Sequence, residues 1–326
     1  MPNRIIFSLI VLLVSLNLSY GQENIPSSYY ETIDPPLYGI VIKGDNVIIN
    51  TEIPDILSKK NIASFVKPQT LAIITSIHKS LPYVYIETES IRGWFNQNYI
   101  QIISPEEFDK IFNLQKILLI KPILIDDVVY PPATKLPILK EYKKSFKVLI
   151  STSDGFIEKH INKKLATKPL KPRLSNLKML TKIFNKKPYV WANNEEGWDC
   201  SGLIQDMFSF FDIQLPRNSF DQINYSDSID VSDRTLKDKE KILRQSKPYF
   251  TFIYFPGHIM LYTGKRGKDY LTFQALSRID EKKIGYVGFF PLKKTGLLKK
   301  VTKIGYISLN KLDKKYSSLN HPKEDL

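Results

Sequence analysis

One cysteine occurs in this 326-residue chain, in Asp199-Cys200-Ser201-Gly202. An aromatic and polar loop, Tyr189-Val190-Trp191 to Gly197-Trp198, precedes it, and a helical pattern from Leu203 to Phe211 follows. A thiol at a helix start meets unpaired N–H groups and the positive end of the helix dipole. Both favour the thiolate and so make the sulfur nucleophilic. A buried free cysteine acting as a small hydrophobe is the alternative. Cysteine hydrolysis also needs a base, a group that orients the base, and donors for the oxyanion. The chain has four histidines, His78, His160, His258 and His321. Only His258 falls in the same region as Cys200, at the start of a strand behind Pro256-Gly257. The next strand pattern, Leu271-Thr272-Phe273-Gln274-Ala275, offers Gln274, whose carbonyl can accept from an imidazole N–H without adding charge. A structural histidine and a polar strand residue are the bland readings of these two positions.

The elements that must position these residues follow from periodicity. Leu174 to Phe184 carries apolar residues at helical spacing, and Tyr249–Phe255, His258–Thr263, Tyr270–Leu276 and Lys303–Leu309 read as strands. Helices followed by antiparallel strands indicate an α+β domain. Upstream, short β-branched runs from Tyr38 to Ile103 predict a small barrel. A helical link at Pro105 to Asn113 leads to a second set of short runs, again barrel-like, that ends near Lys168. The basic, proline-rich Lys168 to Arg173 is a joint. Asp227 to Arg244 reads as a long charged segment, and 311–326 as a charged tail without fixed structure.

Arg4, the apolar run Ile5 to Leu18 and Ser19-Tyr20-Gly21 have the layout of an export signal, too short for a comfortable membrane span. Cleavage near Gly21 leaves an extracytoplasmic protein without a stable membrane span. It removes one Arg and no acid, so the net charge of +14 becomes +13. That charge fits an anionic envelope surface. Nucleic acid is excluded as a partner because no recognition motif is present and the chain is read as exported.

Pro188-Tyr189-Val190-Trp191, Asp199-Cys200-Ser201-Gly202-Leu203, Leu215-Pro216-Arg217-Asn218-Ser219 with Gln222, and Gly257-His258-Ile259-Met260-Leu261-Tyr262 occur in that order. Together they resemble the NlpC/P60 cysteine peptidases. The region around Arg92-Gly93-Trp94-Phe95 and the one around Leu136-Pro137 are similar to the paired bacterial SH3 modules of one branch of that family. The resemblance implies two small all-β SH3-like barrels (22–112 with an N-terminal extension, 113–168) and a papain-like α+β NlpC/P60 domain (169–310). It implies hydrolysis of the γ-D-glutamyl-L-diamino acid bond of peptidoglycan stem peptides by a monomeric enzyme without cofactor or metal. Cys200 would be the nucleophile, His258 the base and acid, and Gln274 the orienting residue. Backbone N–H groups at the helix start would form the oxyanion hole. Tyr189, Asp199, Ser201, Asn218 and Ser219 would bind substrate around a free N-terminal L-Ala, with Asp199 facing its ammonium group or merely capping the helix. An aromatic of the first barrel, Tyr83, Tyr85, Trp94 or Tyr99, would close the pocket. Where the family has Trp-Gly-Gly this chain has Trp191-Ala192-Asn193, which predicts a stiffer loop. A silent murein-binding protein and a related amidase or acyltransferase are the competing readings.

Overall fold

The structure is a computed structural model, and it describes residues 27–51, 57–278 and 285–307. The export-signal segment, the Lys311–Leu326 tail and His321 lie outside the described residues. The chain divides into two compact units. One holds the residues up to Lys168 together with Trp191–Glu195, and the other holds Pro169–Val190 and the chain from Glu196 onward.

The first unit is mostly β. Strands β1 (Tyr30–Val41), β2 (Asp45–Ile48), β3 (Ile62–Val66), β4 (Leu71–His78), β5 (Tyr83–Glu87), β6 (Arg92–Asn96) and β7 (Ile100–Ile103) form one sheet in the order β3-β2-β6-β5-β4-β1-β7. β1 is longer than its apolar run predicts. Its ladder with β4 shifts register between Thr32 and Leu37, where Pro35 and Pro36 have no N–H to donate. Alternation sets the core: in β5, Val84 and Ile86 point inward onto Val41, Val47 and Phe95.

Helix α1 (Pro105–Asn113) begins with a reciprocal capping box between Ser104 and Glu107 and a proline in its first turn. Its Phe108 and Ile111 join Ile40, Ile73 and Ile103, with Leu149 and Phe156 packed against that cluster. A second β set follows: β8 (Lys116–Leu119), β9 (Ile123–Ile125), β10 (Val128–Tyr130), β11 (Lys135–Glu141), β12 (Ser145–Thr152), β13 (Gly155–Asn162) and β14 (Ala166–Thr167). Five strands run β13-β12-β11-β8-β14, and β9-β10 is a separate hairpin. Asp126 and Asp127 have φ of 47° and 63°, the two left-handed residues of a type I′ turn.

In the second unit α2 (Leu174–Phe184), α3 (Cys200–Ser209) and α4 (Ser219–Tyr225) precede the mainly strand-built part. β15 (Asp227–Asp230), α5 (Leu236–Gln245), β16 (Thr251–Phe255), β17 (His258–Arg266), β18 (Asp269–Ala275), β19 (Val287–Pro291), α6 (Leu297–Lys300) and β20 (Lys303–Tyr306) complete it. The sheet order is β15-β20-β16-β17-β18-β19, every pair antiparallel. Nine of the ten residues of α3 are buried, as befits a helix packed on all sides. α3 lies on β17 and β18, with Phe208 against Phe252 at 5.2 Å between ring centroids. The charged Asp227–Arg244 segment is ordered, as β15 and most of α5. No helix among the described residues is long and apolar enough to cross a membrane.

Candidate active site

Asp199 caps α3: its backbone is extended, and its Oδ1 accepts the Gly202 N–H at 2.7 Å. That interaction makes Cys200 the first helical residue. At the facing end of the sheet, Pro256 and Gly257 form the two-residue turn between β16 and β17, with Phe255 paired to His258. Gly257 has φ of 82°, which the second central residue of such a turn needs, and a Cβ there would meet open space. The turn brings the backbone on both sides of His258 to the thiol. Cys200 Sγ lies 4.0 Å from the Gly257 carbonyl, and the Ile259 N–H acts to lower the thiol's pKa.

His258 and Gln274 share a sheet face. Leu261 pairs with Phe273, so residues an odd number of steps from each project to the opposite side. His258 Nε2 is 2.6 Å from Gln274 Oε1. The rest of the network fixes the proton. Thr272 Oγ1 donates to the Phe290 carbonyl at 3.1 Å, so its oxygen accepts from Gln274 Nε2 at 2.8 Å. The Gln274 carbonyl must then face His258, and the imidazole carries its proton on Nε2. Nδ1 keeps the lone pair that a base requires. Thr272 and Gln274 are both fully buried. Thr272→Val removes the hydroxyl and leaves the Gln274 amide without that acceptor. We expect kcat to fall about 10-fold with KM little changed, read by steady-state kinetics, and Thr272→Ser to restore it.

Burial decides the charge state. It pushes the Cys200 thiol up to about 11, helped by the neighbouring Asp199 carboxylate, against smaller opposing effects of Ile259 N–H, Arg217 and Ser201 N–H. Desolvation pushes His258 down from the usual histidine value, more than Gln274 and Asp199 raise it. Both shifts favour neutral forms. Desolvation thus works against the thiolate that the helix start favours, and the two shifts together oppose the charged pair. Tyr189 is also pushed up, by burial first and then by Cys200 and Asp199, and so remains a neutral phenol.

Asp199 does more than cap. Arg217, 3% exposed, donates to its Oδ2 at 2.6 Å and its Oδ1 at 3.2 Å, and to Ser201 Oγ at 2.8 Å. Asn218 caps α4 by accepting the Asp221 N–H at 2.8 Å, which makes Ser219 the first residue of that helix. Gln222 Nε2 donates to the carbonyls of Ser201 and Pro216, both at 2.8 Å, tying α4 to the start of α3. Cys200, Asp199, Ser201, Tyr189, His258 and Gln274 are thus brought together, whereas Asn218 serves its own helix. No role attaches to Arg217, Gln222 and Thr272 from the sequence alone. The first two lie in the Leu215–Gln222 motif, so position was the only signal.

Of the four aromatics of the first unit, Trp94 is 2% exposed and packs edge-on against Tyr85 and His78 in its own module. Tyr83, Tyr85 and Tyr99 are half-buried. In the Trp191-Ala192-Asn193 loop, Ala192 and Asn193 hold φ of 64° and 69°, the left-handed region that glycine favours. The Ala192 carbonyl accepts the Phe65 N–H at 2.8 Å within the first unit.

A family model described as NlpC/P60 family matches residues 186–285. The chain resembles the solved structure of an NlpC/P60 endopeptidase from Photobacterium damselae subsp. piscicida (TM-score 0.67, 18% identity, 83% of this chain and 73% of that one). It also resembles an NlpC/P60 family protein from Bacillus cereus ATCC 10987 (TM-score 0.64, 16% identity, 83% of this chain and 100% of that one). No curated protein matches.

Proposed function

We propose, from the match of residues 186–285 to the NlpC/P60 family model, that the protein is an exported cysteine peptidase of peptidoglycan stem peptides. It hydrolyses the bond between γ-D-glutamate and an L-diamino acid, in short peptides with a free N-terminal L-Ala. In this reading the two β sets of the first unit are SH3-like barrels (22–112 and 113–168), residues 169–310 are the peptidase domain, and the enzyme acts as an extracytoplasmic monomer. The observation that carries the proposal is the Cys200 thiol lying between the backbone groups that flank His258, whose ring is fixed by Gln274.

Imidazole Nδ1 takes the thiol proton as sulfur attacks the γ-carbonyl carbon, forming a C–S bond and an oxyanion. The Gly202 and Leu203 N–H groups are already used by Asp199, and Ser201 N–H leans toward the sulfur. The Cys200 N–H, without a partner among the described residues, is left for the oxyanion. The imidazolium then protonates the leaving nitrogen as the C–N bond breaks, releasing the diamino acid. Water, deprotonated by the same imidazole, hydrolyses the thioester and regenerates the thiol. In this reading Tyr189, Asp199, Ser201 and Ser219 face the acyl part of the substrate, with Asn218 holding Ser219 at the start of α4.

Incubation with L-Ala-γ-D-Glu-diamino acid tripeptide is expected to release L-Ala-D-Glu, identified by mass spectrometry. The N-acetylated tripeptide should be cut at least about 10-fold more slowly, the loss of an ion pair at a desolvated site. Release of other products, or equal turnover by a Cys200→Ala protein, overturns the reading.

A further inference from the structure

A cavity of about 380 Å³ adjoins His258 in the second unit, with His258, Phe255, Ser277, Arg278, Thr295 and Lys300 among its walls. None of the four residues assigned to the acyl side lines it. Its charge is of one sign. Lys300 ends α6, and Arg278 follows β18, beside the Leu276 N–H to Tyr286 carbonyl and Gly285 N–H to Ser277 carbonyl bonds, 3.2 and 3.0 Å. Among the described residues neither cation has an acidic partner. The Lys300 ammonium lies 5.9 Å from the Phe255 ring centroid and is close enough to help push the His258 ring toward its neutral form. Lys300 is also held from behind. Lys239, 4% exposed, donates from Nζ to the carbonyl of Val301 at 2.7 Å, fixing the residue after it.

The position of this cavity has a chemical meaning. The imidazolium must hand its proton to the leaving nitrogen, so the leaving group lies on the side of His258 where space is available. From this we propose that the cavity is the leaving-group subsite, and that Arg278 and Lys300 select diamino acids bearing a carboxylate. The inference rests on the peptidase reading above. The discriminating group is the side-chain carboxylate that diaminopimelate has and lysine lacks; the α-carboxylate is common to both. Both side chains end in an ammonium group, but in diaminopimelate a carboxylate on the same carbon offsets its repulsion by the two cations, whereas in lysine nothing does. Ser277 and Thr295 lie beside the cations on the exposed rim.

The test compares tripeptides ending in meso-diaminopimelate and in L-lysine, each as the free acid and as the α-carboxamide, cut by the full-length protein. The diaminopimelate acid should exceed the lysine acid about 10-fold in kcat/KM, and the same preference should persist between the carboxamides, in which the α-carboxylate is masked. The Arg278→Gln/Lys300→Gln variant should bring the ratio to within about 2-fold of one, while Lys300→Arg keeps it. A ratio near one in the native protein, or one unchanged in the double variant, overturns the proposal. In parallel, the His258 ring resonances of Cys200→Ala protein are followed by NMR during titration with free meso-diaminopimelate and with L-lysine. A shift with the first only, when the native protein cuts neither peptide, keeps the subsite and removes the peptidase reading. Cleavage of both peptides at equal rates with no shift removes the subsite alone.

Discussion

Replacing Cys200 by Ala is expected to lower kcat/KM on stem tripeptide by on the order of 10⁴-fold or more, and His258→Ala by a similar factor. The double variant should be little worse than either single one, since nucleophile and base act as a unit. The pH profile carries the mechanistic content. Burial holds the thiol up to about 11 and the imidazole below its ordinary value, so the resting pair is neutral. Activity requires His258 unprotonated in the free enzyme. It should therefore be lost only as pH falls through a value below 6.5, and stay level through neutrality. Alkylation of Cys200 by iodoacetamide in the free protein should rise with pH toward a midpoint near 11. A midpoint below about 7, the range of thiols paired with an imidazolium, would mean that a thiolate–imidazolium pair already exists before substrate arrives.

The contrast with the sequence reading has a physical cause. A helix start and an Asp-Cys-Ser-Gly run point to a nucleophile, but they say nothing of how far the thiol is removed from water. Desolvation comes from the packing of α3 on β17 and β18, a long-range fact. Strand alternation, by contrast, is local, and it correctly aligned Gln274 with His258. The same division explains the missed elements. β13 reads Gly155-Phe-Ile-Glu-Lys-His-Ile-Asn, in which most side chains are exposed or half-buried, so its hydrophobic signal is weak. α5 buries only Lys239 and Leu243, and a lysine spent on a backbone carbonyl reads from sequence as surface. Pro35 and Pro36 mask the long first strand, although its ladder simply skips them. α2, with plain periodicity, was legible to the residue at both ends, and α1 in its approximate extent.

Arg217 shows the same limit at the site, because its partner Asp199 is 18 residues away in sequence. It also gives the largest expected effect on stability. Asp199 and Arg217 are 6% and 3% exposed and joined at 2.6 Å. Arg217→Met fills much of the volume but leaves the Asp199 carboxylate buried beside Cys200 without its cation. The cost should be about 3–5 kcal/mol, measured by urea denaturation. Arg217→Lys should recover only part of it, since one ammonium cannot reach both carboxylate oxygens and Ser201 Oγ as the guanidinium does. Asp199→Asn alone strands the guanidinium instead, while keeping an oxygen for the Gly202 N–H. The Asp199→Asn/Arg217→Met protein has neither uncompensated charge, so it should be more stable than the sum of the single losses allows, by about 1–3 kcal/mol in a double-mutant cycle. Activity should not recover with it. The ion pair fixes the cap residue immediately before Cys200, and a small displacement of the thiol from its place between Gly257 and Ile259 is enough to slow attack about 100-fold. A double variant regaining both stability and full turnover would show that the pair serves the fold alone and has no part in aiming the nucleophile.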